Sequence, residues 1–322
     1  LVALTRRQKW RIEKIHSERI ARAKKTSKNS ENIDLNSTQE INGRVISRYG
    51  QRQLVESIDG KLYQCTDRRN IGLSVAGDEV VFKKIDNNKG VVTAIQPRTN
   101  ELKRQNKLIA ANIDQLWLVV ALEPHYEFEL IDRYLIMAEN ENLPISIIVN
   151  KIELAKNLEQ VYRDFSIYKN IDYQVYFLSV EKDDNLGSLK SSLSNKTNIF
   201  LGQSGVGKSS LINNLIPDLD LRVDEISTKT KLGRHTTTNT TIHHISSGGD
   251  LIDSPGIREF QIDELSSSQI LNGYREFKPY LGKCRFRNCQ HVNEPNCAIR
   301  NALDLEEIHP ARYQNYINLI SE

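Results

Sequence analysis

No uninterrupted apolar run in the 322 residues approaches the ~18–20 needed to cross a bilayer. A signal-peptide core is missing too, because Trp10, Ile12, Ile15 and Ile20 are separated by charges. From these two absences the expectation is a cytoplasmic protein that binds no membrane. Methionine occurs once, at Met137, and further residues are therefore expected before Leu1. Cysteine occurs four times, and three of the four crowd into Cys284–Cys297. In a cytoplasmic chain that crowding favours a metal over a disulfide. Cys65 stands alone among polar residues and reads as structural. Net charge is only +3, which by itself names no partner.

What is present is unevenly spread, and two domains or more fit the length. Residues 1–38 form a basic arm with Arg6, Arg7, Lys9, Arg11, Lys14, Arg19, Arg22, Lys24, Lys25 and Lys28 against Glu13 and Glu18. Such an arm is either a solvated tail or a nucleic-acid-binding one. Residues 39–105 change character. Gly43–Tyr49, Gln53–Ile58, Lys61–Cys65, Asp78–Lys84 and Gly90–Ile95 read as strands, separated by Asp59-Gly60, Ala76-Gly77-Asp78 and Asn87–Gly90 turns. Five short strands in that length suit a closed OB-type barrel. Barrels of this kind bind single-stranded nucleic acid through aromatics and a basic groove, and Tyr49, Tyr63, Arg44, Arg48, Arg52, Arg68 and Arg69 are the candidates.

From Asn112 the pattern becomes α/β. Asp114–Ala121 and Pro144–Val149 are continuous apolar runs, as buried parallel strands require. Glu129–Asn142 is a helix candidate, and Tyr173–Leu178, Asn198–Leu201, Thr240–Ile245 and Leu251-Ile252 supply further strands. Right-handed crossovers gather the strand C-termini on one edge, where ligands bind.

Gly202-Gln203-Ser204-Gly205-Val206-Gly207-Lys208-Ser209-Ser210 follows one strand and opens a helix. That is the phosphate-binding loop in its required context. Its amides and helix N-terminus attract phosphate, Lys208 reaches the β- and γ-phosphates, and the Ser209 hydroxyl ligates Mg²⁺. Asp253-Ser254-Pro255-Gly256 fits D-x-x-G, the carboxylate holding Mg²⁺ through water and the Gly256 N–H sensing the γ-phosphate. Asn150-Lys151-Ile152-Glu153 is similar to the guanine-reading N-K-x-D, with Glu153 where the aspartate stands. Either carboxylate can accept from guanine N1 and N2 together. Ser179-Val180 would back guanine O6 through backbone N–H groups. In Gly233–Thr238, Thr237 is favoured to complete the Mg²⁺ shell.

Order along the chain is informative. GTP-binding proteins ordinarily run from phosphate loop through D-x-x-G to N-K-x-D, yet here Asn150 and Ser179 precede Gly202. The chain is therefore read as a circular permutation. Cys284, Cys289, His291 and Cys297 offer three thiolates and one imidazole, the donor set of a closed structural zinc site.

On these motifs, together with Leu130-Ile131-Asp132-Arg133-Tyr134-Leu135, the chain resembles the ribosome small-subunit-dependent GTPase A family (RsgA, also called YjeQ). The resemblance runs from the arm to the end and implies a multidomain α/β protein. Its parts would be an arm (1–38), an OB-fold RNA-binding domain (39–105), a circularly permuted GTPase domain (106–262) and a helical zinc-binding domain (263–322). It implies a ribosome-stimulated GTP hydrolase that contacts the small subunit and 16S rRNA in late maturation; a monomer is the expectation, and no sequence feature sets the oligomeric state. Mg²⁺ would accompany GTP, and one structural Zn²⁺ would be bound.

Ile257 stands where Ras-like enzymes place a water-orienting glutamine, so His235 is the candidate for that task. Because Asp253 and Gly256 lead directly toward the zinc region, nucleotide state is expected to be conveyed there. The alternative reading is an RNA-binding protein with a passive GTP/GDP site, and a phosphate-loop kinase or ATPase is disfavoured by Asn150-Lys151.

Overall fold

The computed structural model describes residues 14, 17–21, 40–69, 71–104, 107–217, 219, 240–254 and 265–321. It divides into two compact units, residues 1–113 with 216–257, and residues 114–215 with 258–322.

In the first unit, β1 (Glu40–Tyr49), β2 (Arg52–Ser57), β3 (Leu62–Asp67), β4 (Glu79–Lys84) and β5 (Lys89–Ile95) form the barrel. β1 runs antiparallel to both β2 and β4, β2 to β3, and β4 to β5, while β3 and β5 are parallel. The ladder thus closes on itself and leaves no free edge among these strands. Alternation selects the interior: Val45, Val55, Tyr63, Cys65, Val80, Phe82 and Val92 face inward together with Ile71. Burying a side chain the size of Phe82 contributes about 1.5–3 kcal/mol.

This packing corrects part of the expected nucleic-acid face. Tyr63 is 4% exposed and its ring sits 5.1 Å from that of Phe82, so it is core and cannot stack on a base. Arg44 is ion-paired to Asp250, and Arg48 donates to Asp67 at 2.6 Å and to Ser74 Oγ at 2.7 Å. Arg52, Arg68 and Arg69 remain exposed, with Tyr49 partly so.

Of the arm, residues 17–21 are helical and dock on the barrel. Ile20 packs on Val81 and Ala94, and Arg19 donates to the Thr93 carbonyl at 2.7 Å. A hairpin that the sequence reading had no signal for, β6 (Glu101–Arg104) and β7 (Lys107–Ala111), follows the barrel. A second hairpin, β12 (Thr241–His244) and β13 (Asp250–Asp253), extends the same ladder, because β12 pairs with β1 at Ser47 opposite Thr241. His244 bridges Asp250 (2.6 Å) and Glu56 (3.0 Å) there.

The second unit holds a parallel sheet in the order β10-β9-β8-β11, made of β8 (Gln115–Ala121), β9 (Ile145–Asn150), β10 (Val175–Phe177) and β11 (Thr197–Leu201). Every residue of β8, β9 and β11 is buried, which is why these strands read as largely apolar runs. Helices α1 (Phe128–Asn140), α2 (Leu158–Lys169), α3 (Leu186–Leu193) and α4 (Lys208–Leu215) accompany them.

The C-terminal part adds α5 (Ser267–Gly273), opened by a Ser266–Gln269 capping box, then α6 (Ala298–Asp304) and α7 (Pro310–Ser321). Ile136 of α1 joins Tyr274, Phe277, Ile299, Tyr316 and Leu319 in one core. Arg312 of α7, 1% exposed, is ion-paired to Asp132 of α1 and donates to Glu276 at 2.7 Å. Burial alone would lower the affinity of this guanidinium for its proton, but Asp132 and Glu276 outweigh it and hold the group charged. Among the described residues no helix is long and apolar enough to cross a membrane.

Candidate functional site

The glycine-rich loop links buried β11 to α4, whose first residue is Lys208. Two of its glycines are required by contact as well as by conformation. At Gly202 (φ +134°) a Cβ would lie 2.1 Å from the Val119 carbonyl oxygen of β8, and at Gly207 (φ +98°) 2.2 Å from Asn150 Nδ2. Lys208 is buried and its Nζ donates to the Gly202 and Gln203 carbonyls, at 2.6 and 2.5 Å. It is thus folded over the loop. Gln203, Ser204, Gly205, Ser209 and Ser210 are exposed along the same turn and the start of α4.

Asn150, the last residue of β9, is 2% exposed and joins three of the sequence-predicted segments. Its Nδ2 donates to the Val206 carbonyl at 2.9 Å, and its Oδ1 accepts from the Val180 N–H at 3.4 Å. Parallel β8, β9 and β11 bring these segments together because their C-terminal ends share one edge. Lys151 adopts a left-handed conformation (φ +62°), and its Nζ donates to the Glu123 carbonyl at 2.5 Å. Glu123-Pro124 therefore forms part of the wall beside the loop; the sequence alone had no signal for it.

Glu153 lies in a single 3₁₀ turn, Ile152–Leu154. Its Oε2 is buried and has no hydrogen-bond partner among the described residues. A carboxylate oxygen can only accept, and burying one is costly unless a donor reaches it. Ser179 is fully buried, exchanges backbone hydrogen bonds with Asp184, and its Oγ accepts from the Lys182 N–H at 3.1 Å.

Asp253 ends β13 in the other unit. Gly256, His235 and Thr237 lie outside the described residues, as does the whole of 255–264 through which a link to the zinc region was expected.

The cysteine cluster assembles as a four-donor group. Cys284 Sγ lies 3.9 Å from Cys297 Sγ and 3.4 Å from His291 Nδ1, which is 3.3 Å from Cys297 Sγ; all four donor atoms, Cys289 included, fall within 4.8 Å of one another. Zinc bonds of ~2.3 Å to sulfur and ~2.0 Å to nitrogen imply tetrahedral edges of roughly 3.5–3.8 Å, so the donors fit one zinc ion with no open position. The frame around them is also built. The Ala298 N–H donates to Cys284 Sγ at 3.3 Å, and the Tyr313 hydroxyl to the His291 carbonyl at 2.6 Å.

With that geometry in place, similarity to known proteins is informative. The family model described as RsgA GTPase matches residues 95–263. A protein of Actinobacillus succinogenes named small ribosomal subunit biogenesis GTPase RsgA is 41% identical, covering 99% of this chain and 95% of that protein. A protein of the same name from Hahella chejuensis is 41% identical over 98% of this chain and 94% of its own length. Among solved structures, YjeQ from Thermotoga maritima superposes with a TM-score of 0.74 at 28% identity, covering 88% of this chain and 98% of that one. YloQ, described as a circularly permuted GTPase, gives 0.73 at 27% identity over 90% and 97%. Fold, permuted motif order and full-length similarity agree: the chain belongs to the RsgA GTPase family.

Proposed function

We propose that this protein hydrolyses GTP to GDP and phosphate when bound to the small ribosomal subunit, and that it assists late maturation of that particle through contacts with 16S rRNA. The observation that carries the nucleotide reading is Asn150, whose two hydrogen bonds tie the glycine-rich loop to the segment at Val180. The names of the relatives supply the ribosomal partner. The arm, barrel (39–105), GTPase domain (106–262) and zinc region (263–322) divide the work, in a cytoplasmic monomer.

In this reading the amides of Gly202–Gly207 and the start of α4 cradle the phosphates. Lys208 exchanges its carbonyl partners for β- and γ-phosphate oxygens. Asn150 and Lys151 shape the base site, and the orphaned Glu153 oxygen accepts from guanine N1 and N2. Ser179 and Val180 approach guanine O6. Ser209, with Thr237 and, through water, Asp253, would hold Mg²⁺, which supplies neutralisation of the phosphate charge. Gly256 would register the γ-phosphate. His235 orients the attacking water when the protein is bound to the ribosome. Catalysis of this type is mostly positioning and charge stabilisation. Cys284, Cys289, His291 and Cys297 would hold one structural zinc.

The test is release of phosphate from GTP and from ATP, with and without purified small subunits. The reading expects slow release from GTP alone, fast release with subunits, and little from ATP. Binding of GTP without any release would leave a passive site.

A further inference from the structure

The loop between Cys284 and Cys289 presents side chains that the GTPase reading leaves unused. Phe286 is 42% exposed at its tip, and the Arg285 guanidinium carbon lies 5.5 Å from the Phe286 ring centroid. Lys283, Arg285 and Arg287 are exposed beside it. Several arginines elsewhere are matched with acids, Arg44 with Asp250, Arg48 with Asp67, Arg98 with Asp78 and Arg312 with Asp132. Among the described residues no carboxylate pairs with any of these three cations. The nearby acid, Glu294, is committed to the backbone. Its oxygens accept from the Gln290, Val292 and Asn293 N–H groups, which hold its carboxyl down to about 2.

This loop is also fixed in shape. Cys289 N–H donates to the Phe286 carbonyl and Arg285 N–H to the Asn296 carbonyl, both at 3.3 Å. Its two ends are metal-ligand candidates, and the Tyr316 hydroxyl anchors the Gln290 carbonyl at 2.8 Å. An exposed aromatic ring on a hydrogen-bonded loop, with three cations within three residues of it, is complementary to a flat base with phosphates on either side. Three cations with no carboxylate paired to them among the described residues favour a polyanion over a protein partner.

We propose that the Lys283–Asn288 tip is a stacking platform for one unpaired RNA base, with Phe286 taking the base and Lys283, Arg285 and Arg287 the flanking phosphates. The proposal rests on the RNA-contacting part of the function above.

Its test uses the full-length zinc-loaded chain and three probes: small ribosomal subunits, single-stranded poly(A), and the poly(A)·poly(U) duplex. Phe286→Leu, which keeps apolar bulk but removes the π face, is expected to weaken single-strand binding about 5- to 100-fold. Phe286→Trp is expected to retain it, and duplex binding is expected to change little in either variant. Arg287→Ala should lower the slope of log K against log salt for the single strand by about 0.7. Zinc content and subunit-free GTPase rate report that the variants are folded, and both should match wild type. Equal single-strand binding by wild type, F286L and F286W overturns the platform, as does an equal loss in F286L and F286W. Wild-type failure to bind subunits, with the single-strand pattern intact, would instead overturn the ribosomal assignment. Binding of a basic-aromatic tip to protein only would appear as F286L losing subunit affinity with single-strand RNA unaffected, which also overturns the platform.

Discussion

The amide of Asn150 and the carbonyl of Val206 are 2.9 Å apart and buried, so the end of one strand is bolted to the glycine-rich loop that follows another. Asn150→Ala removes the bond and leaves a buried carbonyl unpaired, at a cost of about 1–3 kcal/mol. If the base site depends on this junction, GDP affinity should fall by ~5- to 100-fold, measured by isothermal titration calorimetry. Gly207→Ala should have the same effect by a different route, since its Cβ would displace Asn150.

Glu153 is the place where specificity for the base should reside. Its buried Oε2 has no partner among the described residues, and Glu153→Gln replaces an acceptor with a group that also donates. The expected outcome is a ~10- to 100-fold fall in the ratio of GDP to ADP affinity, with little change in thermal stability. Competition binding of the two diphosphates checks both sides of that ratio.

Arg312 stands between Asp132 and Glu276 in the core that joins α1 to α7, with the Tyr168 hydroxyl and the Asn315 amide completing the Asp132 shell at 2.9 and 2.7 Å. Arg312→Met strands two buried acids. A loss of about 3–5 kcal/mol in unfolding free energy is expected in urea titration. Replacing Arg312, Asp132 and Glu276 together by apolar residues should be less destabilising than R312M alone. The network also gives a physical reason for aspartate within Leu130–Leu135.

His244 gives the first unit a pH dependence. Hydrogen bonds that the ring donates to Asp250 and then to Glu56 raise its pKa from 6.5 to about 10. A histidine raised on folding contributes stability that is fully present below pH 6.5 and lost as the pH climbs toward 10. Thermal unfolding between pH 6.5 and 10 should therefore show a downward trend that His244→Asn flattens. Half of the side chain is exposed, so added salt should weaken the trend.

Much of this was legible in the chain. Five barrel strands lay where alternation and Gly or Asn turns put them, and the parallel strands announced themselves because burial on both faces leaves no polar positions. The loop motif carried its own geometry, since Gly202 and Gly207 are needed where the backbone of β8 and the side chain of Asn150 approach. Other features were hidden for physical reasons. Tyr63 looked like a surface aromatic because a barrel interior has the same alternating signature as its outside. Arg312 in Pro310-Ala311-Arg312-Tyr313 reads as a solvated helix cation, and only a distant aspartate makes it core. β6 and β7 carry too few alternating apolar residues to stand out. Helix α2 had a usable signal, the Asn157 side chain accepting from the Gln160 N–H at 3.2 Å.

The most direct test of a guanine site built around Asn150 is calorimetric binding of GDP and ADP to the wild-type chain with Mg²⁺ present. GDP binding at least ~100-fold tighter than ADP is the predicted result, as expected of a pocket whose polar groups must be paired. Equal affinities for the two diphosphates would contradict it.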